Sequence, residues 1–187
     1  MTISFRSPTL NDSSLLLEWR SQSRINEMMF SDVQSFDEEK QREWLLSCDR
    51  REDYMHFMII GDGEPIGLLS YSGIDRINGH CSCGSYFGSV AAARKYGGHM
   101  HAYFMDYLFY VLGMRKNVIY ILGSNKRVLK IQQLLGLRSV GVLKQHILKR
   151  KIPTDVHIFE LLKEDWEERR WNTQSISDSL KAFGIED

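Results

Sequence analysis

The chain has 187 residues, 43% of them apolar and 26% charged, with 24 Lys and Arg set against 24 Asp and Glu. That length supports one core but is short for two, and the composition excludes disordered, collagen-like and coiled-coil chains. Zero net charge argues against a nucleic-acid binder, which normally carries a basic excess.

Taken in chain order, TISFRSP reads as a short first strand. It begins an N-terminus, MTISFRSPTL, that lacks the basic-then-apolar pattern of an export signal. Charged residues interrupt every long apolar run, so no membrane association is expected and the localisation read here is cytoplasmic. SLLLEWRSQSRINEMM predicts a helix with Asp12 or Ser13 as its cap. In SFDEEKQREWLLSCD, Ser35 and Glu38 have the spacing of a capping box before a second helix. YMHFMIIGDGEPIGLLSYSGID predicts a β-hairpin turning at Gly61, Asp62, Gly63 and Pro65. GHCSCGSYFG is a further strand, broken by Gly84 and ended by Gly88, followed by a small-residue loop.

Met100, Tyr103, Phe104, Tyr107, Leu108, Val111 and Leu112 then recur at steps of three and four, one stripe of a helix that Gly113 stops. NVIYILG predicts a buried strand, and NKRVLKIQQLLG a helix ended by Gly136. SVGVLKQHILK and DVHIFELL predict a final hairpin. The expected fold is α/β (α+β): a single mixed, mostly antiparallel sheet of about seven strands with helices on both faces. The domain spans 1–166 and 167–187 is a polar, helical tail; the closing segment from Lys163 carries Trp166 and Trp171.

Two stretches carry chemistry. In RKYGGH, glycines stand where a long helix begins, and the first N–H groups of a helix are unpaired and sit at its positive end. Glycines let a diphosphate approach the backbone, and Arg94 and Lys95 add charge, although an ordinary loop with a solvated Arg-Lys pair has the same local pattern. The other stretch is histidine- and cysteine-rich. His99 and His101 are two apart and point about 200° from each other on a helix, so they cannot share an ion. Cys81 and Cys83 lack a second pair, so no metal site is expected. Cys48, Cys81 and Cys83 are odd in number and read as reduced thiols.

The order of elements, with Arg94-Lys95-Tyr96-Gly97-Gly98-His99 and the frame Asn125, Val128, Gln132, Gly136 and Leu137, resembles the GNAT superfamily of N-acetyltransferases. The likeness runs from about Phe5 to Trp166. His99 stands where the family has Gly or Ala, and Gln132 where it has Tyr. Within the superfamily the chain is similar to the RimJ/RimL-like branch. More narrowly it resembles the PseH-type amino-sugar N-acetyltransferases of pseudaminic acid biosynthesis, through LLLEWRSQSRINEMMF, GEPIGLLSYSGIDRINGHCSCGSYFG and GVLKQHILKRKIPTDVHIFELLKEDW.

The resemblance implies acetyl-CoA as cosubstrate, no metal, and a cofactor lying between the strand ending SYFG and the strand NVIYILG. Tyr86, Phe87 and Gly88 would line it at a bulge near Gly84. The backbone of Tyr96, Gly97, Gly98 and His99, with Arg94 and Lys95, would cradle the diphosphate. Asn125 would bond the pantetheine arm, and Lys130 would approach the adenosine phosphates. The implied acceptor is a primary amine of a UDP-amino-sugar, such as a UDP-4-amino-4,6-dideoxy-N-acetyl-altrosamine. The alternatives are a polyamine, a protein N-terminus or another small amine, or an acyl-CoA binder of weakened activity. Candidate catalytic residues are Gln132, His146 and Tyr86, with Tyr103 and Tyr120 as rival acids. Gln132 has no titratable proton to give, so it hydrogen-bonds at most. Trp19, Arg20 and His146 are candidates for the acceptor site; core packing of Trp19 and a half-exposed strand histidine at 146 are the plain alternatives. A homodimer is compatible with the family.

Overall fold

The computed structural model describes residues 1–33, 35–170 and 174–185. Its strands are β1 (Ile3–Arg6), β2 (Tyr54–Gly61), β3 (Glu64–Asp75), β4 (His80–Phe87), β5 (Lys116–Leu122), β6 (Arg138–Lys149) and β7 (Ile152–Leu162). They form one sheet in the order β1-β2-β3-β4-β5-β7-β6. Neighbouring strands are antiparallel, save that β4 and β5 run parallel. The helices are α1 (Ser13–Ser21), α2 (Ser23–Asn26), α3 (Glu38–Cys48), α4 (Val90–Tyr96), α5 (Met100–Asp106), α6 (Lys126–Leu134), α7 (Lys163–Arg169) and α8 (Ile176–Lys181). This is the mixed, mostly antiparallel sheet of seven strands expected from the sequence.

Strand alternation sends neighbouring residues to opposite faces, and the two leucines at 68 and 69 show the result. Leu69 joins Tyr71, Cys81, Cys83, Phe104, Met105 and Leu108 under α5. Leu68 joins Leu16, Trp19, Ile25, Leu45 and Met58 under α1–α3. α5 runs on into a π-helical turn, Tyr107–Val111, and the chain reverses at Gly113, whose φ of 68° is open to glycine.

Several local expectations are corrected. The helix expected to run unbroken through Arg20 splits at Gln22, which is extended with ψ 128°. Asp12 precedes α1 but makes no cap bond with it, because its carboxylate is taken by the Arg6 guanidinium at 2.8 and 2.7 Å. α3 is capped by Asp37, which accepts from the Lys40 amide at 3.1 Å, and not by a box of Ser35 and Glu38. The small-residue loop after Gly88 is the helix α4; the Ser89 hydroxyl accepts from the Ala92 amide. Three alanines favour helix strongly once a cap starts it. Gly84 pairs in regular register with Ser70, and the irregularity in that ladder lies between Ser72 and Asp75. In β6 the register shifts between Leu143 and Ile147, and Gln145 has φ 51°. Lys144, His146 and Leu148 therefore do not share a face by simple alternation.

The C-terminal segment is strapped to the core. Asp106, fully buried on α5, accepts from the Trp166 indole at 3.0 Å and from Arg170 at 3.0 and 2.6 Å. After α8, Phe183 stacks on Phe5 at 4.0 Å between centroids, and the Phe5 amide donates to the Ala182 carbonyl. Trp171 lies outside the described residues. Cys48, Cys81 and Cys83 are free and buried. Among the described residues no helix is long and apolar enough to cross a membrane, and no group of three or more His, Cys, Asp or Glu is placed to hold a metal ion.

Candidate functional site

The parallel pair β4–β5 is joined only at His80–Lys116 and Cys81–Asn117. The cause is Asn117, which is fully buried. Its side-chain oxygen accepts from the Cys83 amide at 3.1 Å, filling the place of a strand partner, while its Nδ2 lies 3.5 Å from the Met105 sulfur. Beyond this fork the strands part. With the Cys83 amide facing β5, strand periodicity points those of Ser85 and Phe87 into the same gap. The cleft that opens there has a volume of about 1760 Å³, beyond the ~300–1,000 Å³ that one small ligand takes. Two substrates can meet in it.

One half of the cleft is walled by Ala93, Gly97 and Gly98 on one side and by Ser124 to Val128 on the other. A methyl group at Gly98 would meet nothing within 4 Å, so the backbone there faces open space. At Gly97 it would come 2.5 Å from the Ala93 carbonyl oxygen. The Gly97 amide donates to Ala93 and the His99 amide to Tyr96, so the turn itself uses two of the amides assigned to a diphosphate. Asn125 lines the wall and caps α6, accepting from the Val128 amide at 3.3 Å.

The basic residues of this region are sorted differently from the sequence expectation. Lys95 donates to Asp62 at 2.6 Å and the Tyr96 hydroxyl to the same carboxylate at 2.9 Å, tying α4 to the β2–β3 turn. That double grip holds the Asp62 carboxyl well below the usual range, the Lys95 bond contributing most. Arg94 and His99 are exposed and off the cleft wall. His99 is helical in conformation, with φ −94°, and is not among the residues that line the cleft. Lys130 is exposed and off the wall too; Lys126 and Arg127, one turn earlier, line it instead.

Gln132, Tyr86, Phe87, Cys81 and Cys83 line the cleft as well. The Gln132 Oε1 is buried with no hydrogen-bond partner. Burial raises the Tyr86 phenol well above its ordinary value, opposed by the nearby Arg20 charge. Burial likewise pushes the Cys81 thiol up to about 12 and the Cys83 thiol well above its usual range. Both keep their protons. Tyr120 lines the cleft, whereas Tyr103 packs on Phe5 at 5.5 Å and does not.

The other half of the cleft lies on the α1–α3 side of the sheet. Arg20 lines it and donates through Nη2 to the Ser31 carbonyl and hydroxyl at 3.2 and 3.1 Å, leaving Nη1 buried without a partner. Trp19 stands edge-on to Tyr86, 6.4 Å between centroids, and belongs to the core under α1. Gly88 is off the wall, but its carbonyl accepts from Arg24 at 2.5 Å. His146 is exposed on the edge strand β6, as most of that strand is, and away from the cleft.

Sequence reasoning missed Tyr54, Ser70, Ser72, Arg24, Arg115 and residues 31–33, all of which line the cleft; the MMF stretch, Met28 to Phe30, reads from the sequence as core or pocket wall, and it lines the cleft too. Period-2 alternation could have found three of them: Ser70 and Ser72 share a face with Leu68, and Tyr54 pairs with Ser72. Burial pushes the Tyr54 phenol up to about 12. Arg20, Arg24, Arg115, Lys116, Lys126 and Arg127 line the cleft against one carboxylate among the described residues, Asp32. Lys116 is balanced from outside by Glu160 at 2.5 Å.

A family model described as an acetyltransferase (GNAT) domain matches residues 2–138. No curated protein sequence matches. Among solved structures, the spermidine N-acetyltransferase of Vibrio cholerae in complex with CoA and spermine is 16% identical, with a TM-score of 0.78 over 88% of this chain and 98% of that one. Mutant forms of the spermidine/spermine N-acetyltransferase SpeG from the same organism are 14% identical, with a TM-score of 0.74 over 90% and 99%. These likenesses are likenesses of fold. With the model spanning well over half the sequence and the forked β4–β5 cleft in place, the chain belongs to the GNAT acetyltransferase family.

Proposed function

We propose that the protein transfers the acetyl group of acetyl-CoA to a primary amine carried on an anionic scaffold, a nucleotide-linked amino sugar of the PseH type being the acceptor that fits best. The observation that carries the acceptor class is the positive charge lining the cleft. Arg20, Arg24 and Arg115 line the cleft, none is in a salt bridge among the described residues, and Arg20 holds an unpaired, buried nitrogen. A guanidinium in that state gains most from a phosphate or carboxylate, and its neighbourhood repels a polycation.

The chemistry is direct attack of the neutral amine on the thioester carbon. The carbonyl oxygen of the thioester is received by the main-chain N–H groups of Ser85 and Phe87 in the β4–β5 gap, a stabilisation indifferent to side-chain identity. Tyr86, protonated and buried, donates a hydrogen bond to the departing sulfur. Its phenol is less acidic than a thiol, whose ordinary pKa is about 8.5, so it steadies the thiolate without surrendering a proton. The Gln132 amide shares that task. The proton lost by the amine leaves along the hydroxyls of Tyr54, Ser70 and Ser72.

A second reading, acetylation of a polyamine, is favoured by the spermidine acetyltransferases of the same fold. Release of CoA from acetyl-CoA, measured over UDP-linked amino sugars, spermidine, spermine and peptides, separates the two. The first reading expects the UDP-amino-sugar to have the highest kcat/KM, with Arg20→Met raising its KM by about tenfold or more. A spermidine kcat/KM above that of every nucleotide sugar establishes the second. Absence of acetyl-CoA binding in calorimetry overturns both.

A further inference from the structure

We propose that Lys149, far from the cleft in sequence and held off it in space, is a positioning residue that fixes the acceptor-side wall. The proposal rests on the reading above that this half of the cleft receives the amine. Lys149 is the last residue of β6 and is buried. An ammonium has three protons to give, and all three are committed. Nζ donates to the Asn26 carbonyl at 2.8 Å, the Met29 carbonyl at 2.6 Å and the Asp32 carboxylate at 2.5 Å. All three acceptors lie in one short segment, from the last residue of α2 into the loop before α3.

That segment also closes on itself. The Asn26 side chain accepts from the Val33 amide at 2.9 Å and donates to the Val33 carbonyl at 3.1 Å, bringing the two ends together. Phe30, at its tip, is 48% exposed. The inner side of the loop, Met28 to Val33, forms the cleft wall, and there Arg20 grips Ser31. Lys149 holds the loop from outside, Arg20 from inside, and the acceptor would lie against what they hold in place.

The hairpin supplying Lys149 is built to aim it. Lys149 pairs with Ile152, and the two residues between, Arg150 and Lys151, both take positive φ, 49° and 67°. A two-residue turn of this kind matches the strand twist but is normally left to Asn and Gly. Arg150 also reaches Glu27, at the foot of the same loop, at 3.3 Å. The turn thus sets two cations from one hairpin onto one loop.

Lys149→Met tests the proposal. Removing the grip shifts a wall and not the reacting groups, so KM for the amine should rise about tenfold or more while kcat and KM for acetyl-CoA change less than about twofold. Chymotrypsin cleavage after Phe30 should accelerate by about tenfold or more, since it reads local opening of the loop. Should Lys149→Met fail to fold by circular dichroism, Lys149→Gln, which keeps a shorter polar side chain off the cleft wall, carries both measurements, with smaller changes in the same direction. An unchanged amine KM, an equal rise for both substrates, or an unchanged cleavage rate overturns the positioning role. If the wild type acetylates none of the amines tried, the functional reading falls, and the cleavage rate still decides whether Lys149 holds the loop.

Discussion

The indole of Trp19 rests on the α-carbon of Gly88: a methyl group there would lie 2.3 Å from both Cε2 and Nε1. The Gly88 carbonyl accepts from Arg24 and from the Gln22 side chain at 3.3 Å. One residue at the end of β4 thus anchors α1 and α2 beside the cleft. Gly88→Ala must push the indole out of its bed. It should destabilise the protein by about 1–3 kcal/mol and shift tryptophan emission in the folded state, both readable in a urea titration. Gly98→Ala, with nothing near its added methyl, should leave the urea midpoint unchanged.

The unpaired Oε1 of Gln132 makes the folded protein less stable than an apolar residue of similar size would. Gln132→Leu should therefore raise the stability of the ligand-free protein by about 1 kcal/mol while lowering turnover. Opposite movement of Tm and kcat is the expected signature. A lower Tm would place the amide in the packing of α6.

Asp106 neutralises Arg170, whose side chain is 15% exposed, and receives the Trp166 indole. Asp106→Asn keeps the shape and leaves that guanidinium buried without its counter-charge, for about 3 kcal/mol lost. The midpoint in urea should fall accordingly, and the segment after α7 should become the first site of trypsin cleavage.

Burial lowers the His101 pKa from 6.5 to about 4, with Asp106 opposing weakly. In the unfolded chain the imidazole gains its proton as pH falls through 6.5, whereas the folded protein refuses it until about 4. The stability that the neutral ring contributes is thus whole above 6.5 and drains away towards 4, by about 3 kcal/mol when complete. Urea titrations between pH 7 and 4 should show this slope, and His101→Gln should flatten it.

What could be read from the chain beforehand was what local pattern governs. The stripe from Met100 to Leu112 marked a helix and most of its inward face, although Val111 is exposed and Met105 and Phe109, off the stripe, are buried, and the strand ending SYFG marked the wall of the cleft. What stayed hidden depends on distant partners. Asn117 forks the sheet because it meets the Cys83 amide, 34 residues away in sequence. Lys149 is one of several basic residues in β6 until Asp32, 117 positions earlier, is brought to it. Lys95 looked like a phosphate ligand because Asp62 was not visible beside it. His146 misled for a related reason, since only the assembled sheet makes β6 its edge strand, mostly exposed and away from the cleft.

Cys81 and Cys83 stand in the cleft where a thioester would lie, and a thiolate there would be an exchange partner for it. Burial keeps both sulfurs protonated and so unreactive. Neither thiol then serves as a relay between donor and acceptor, which agrees with the single direct transfer proposed above. Double-reciprocal plots at several fixed amine concentrations should intersect instead of running parallel, the mark of both substrates sharing the cleft before either product leaves.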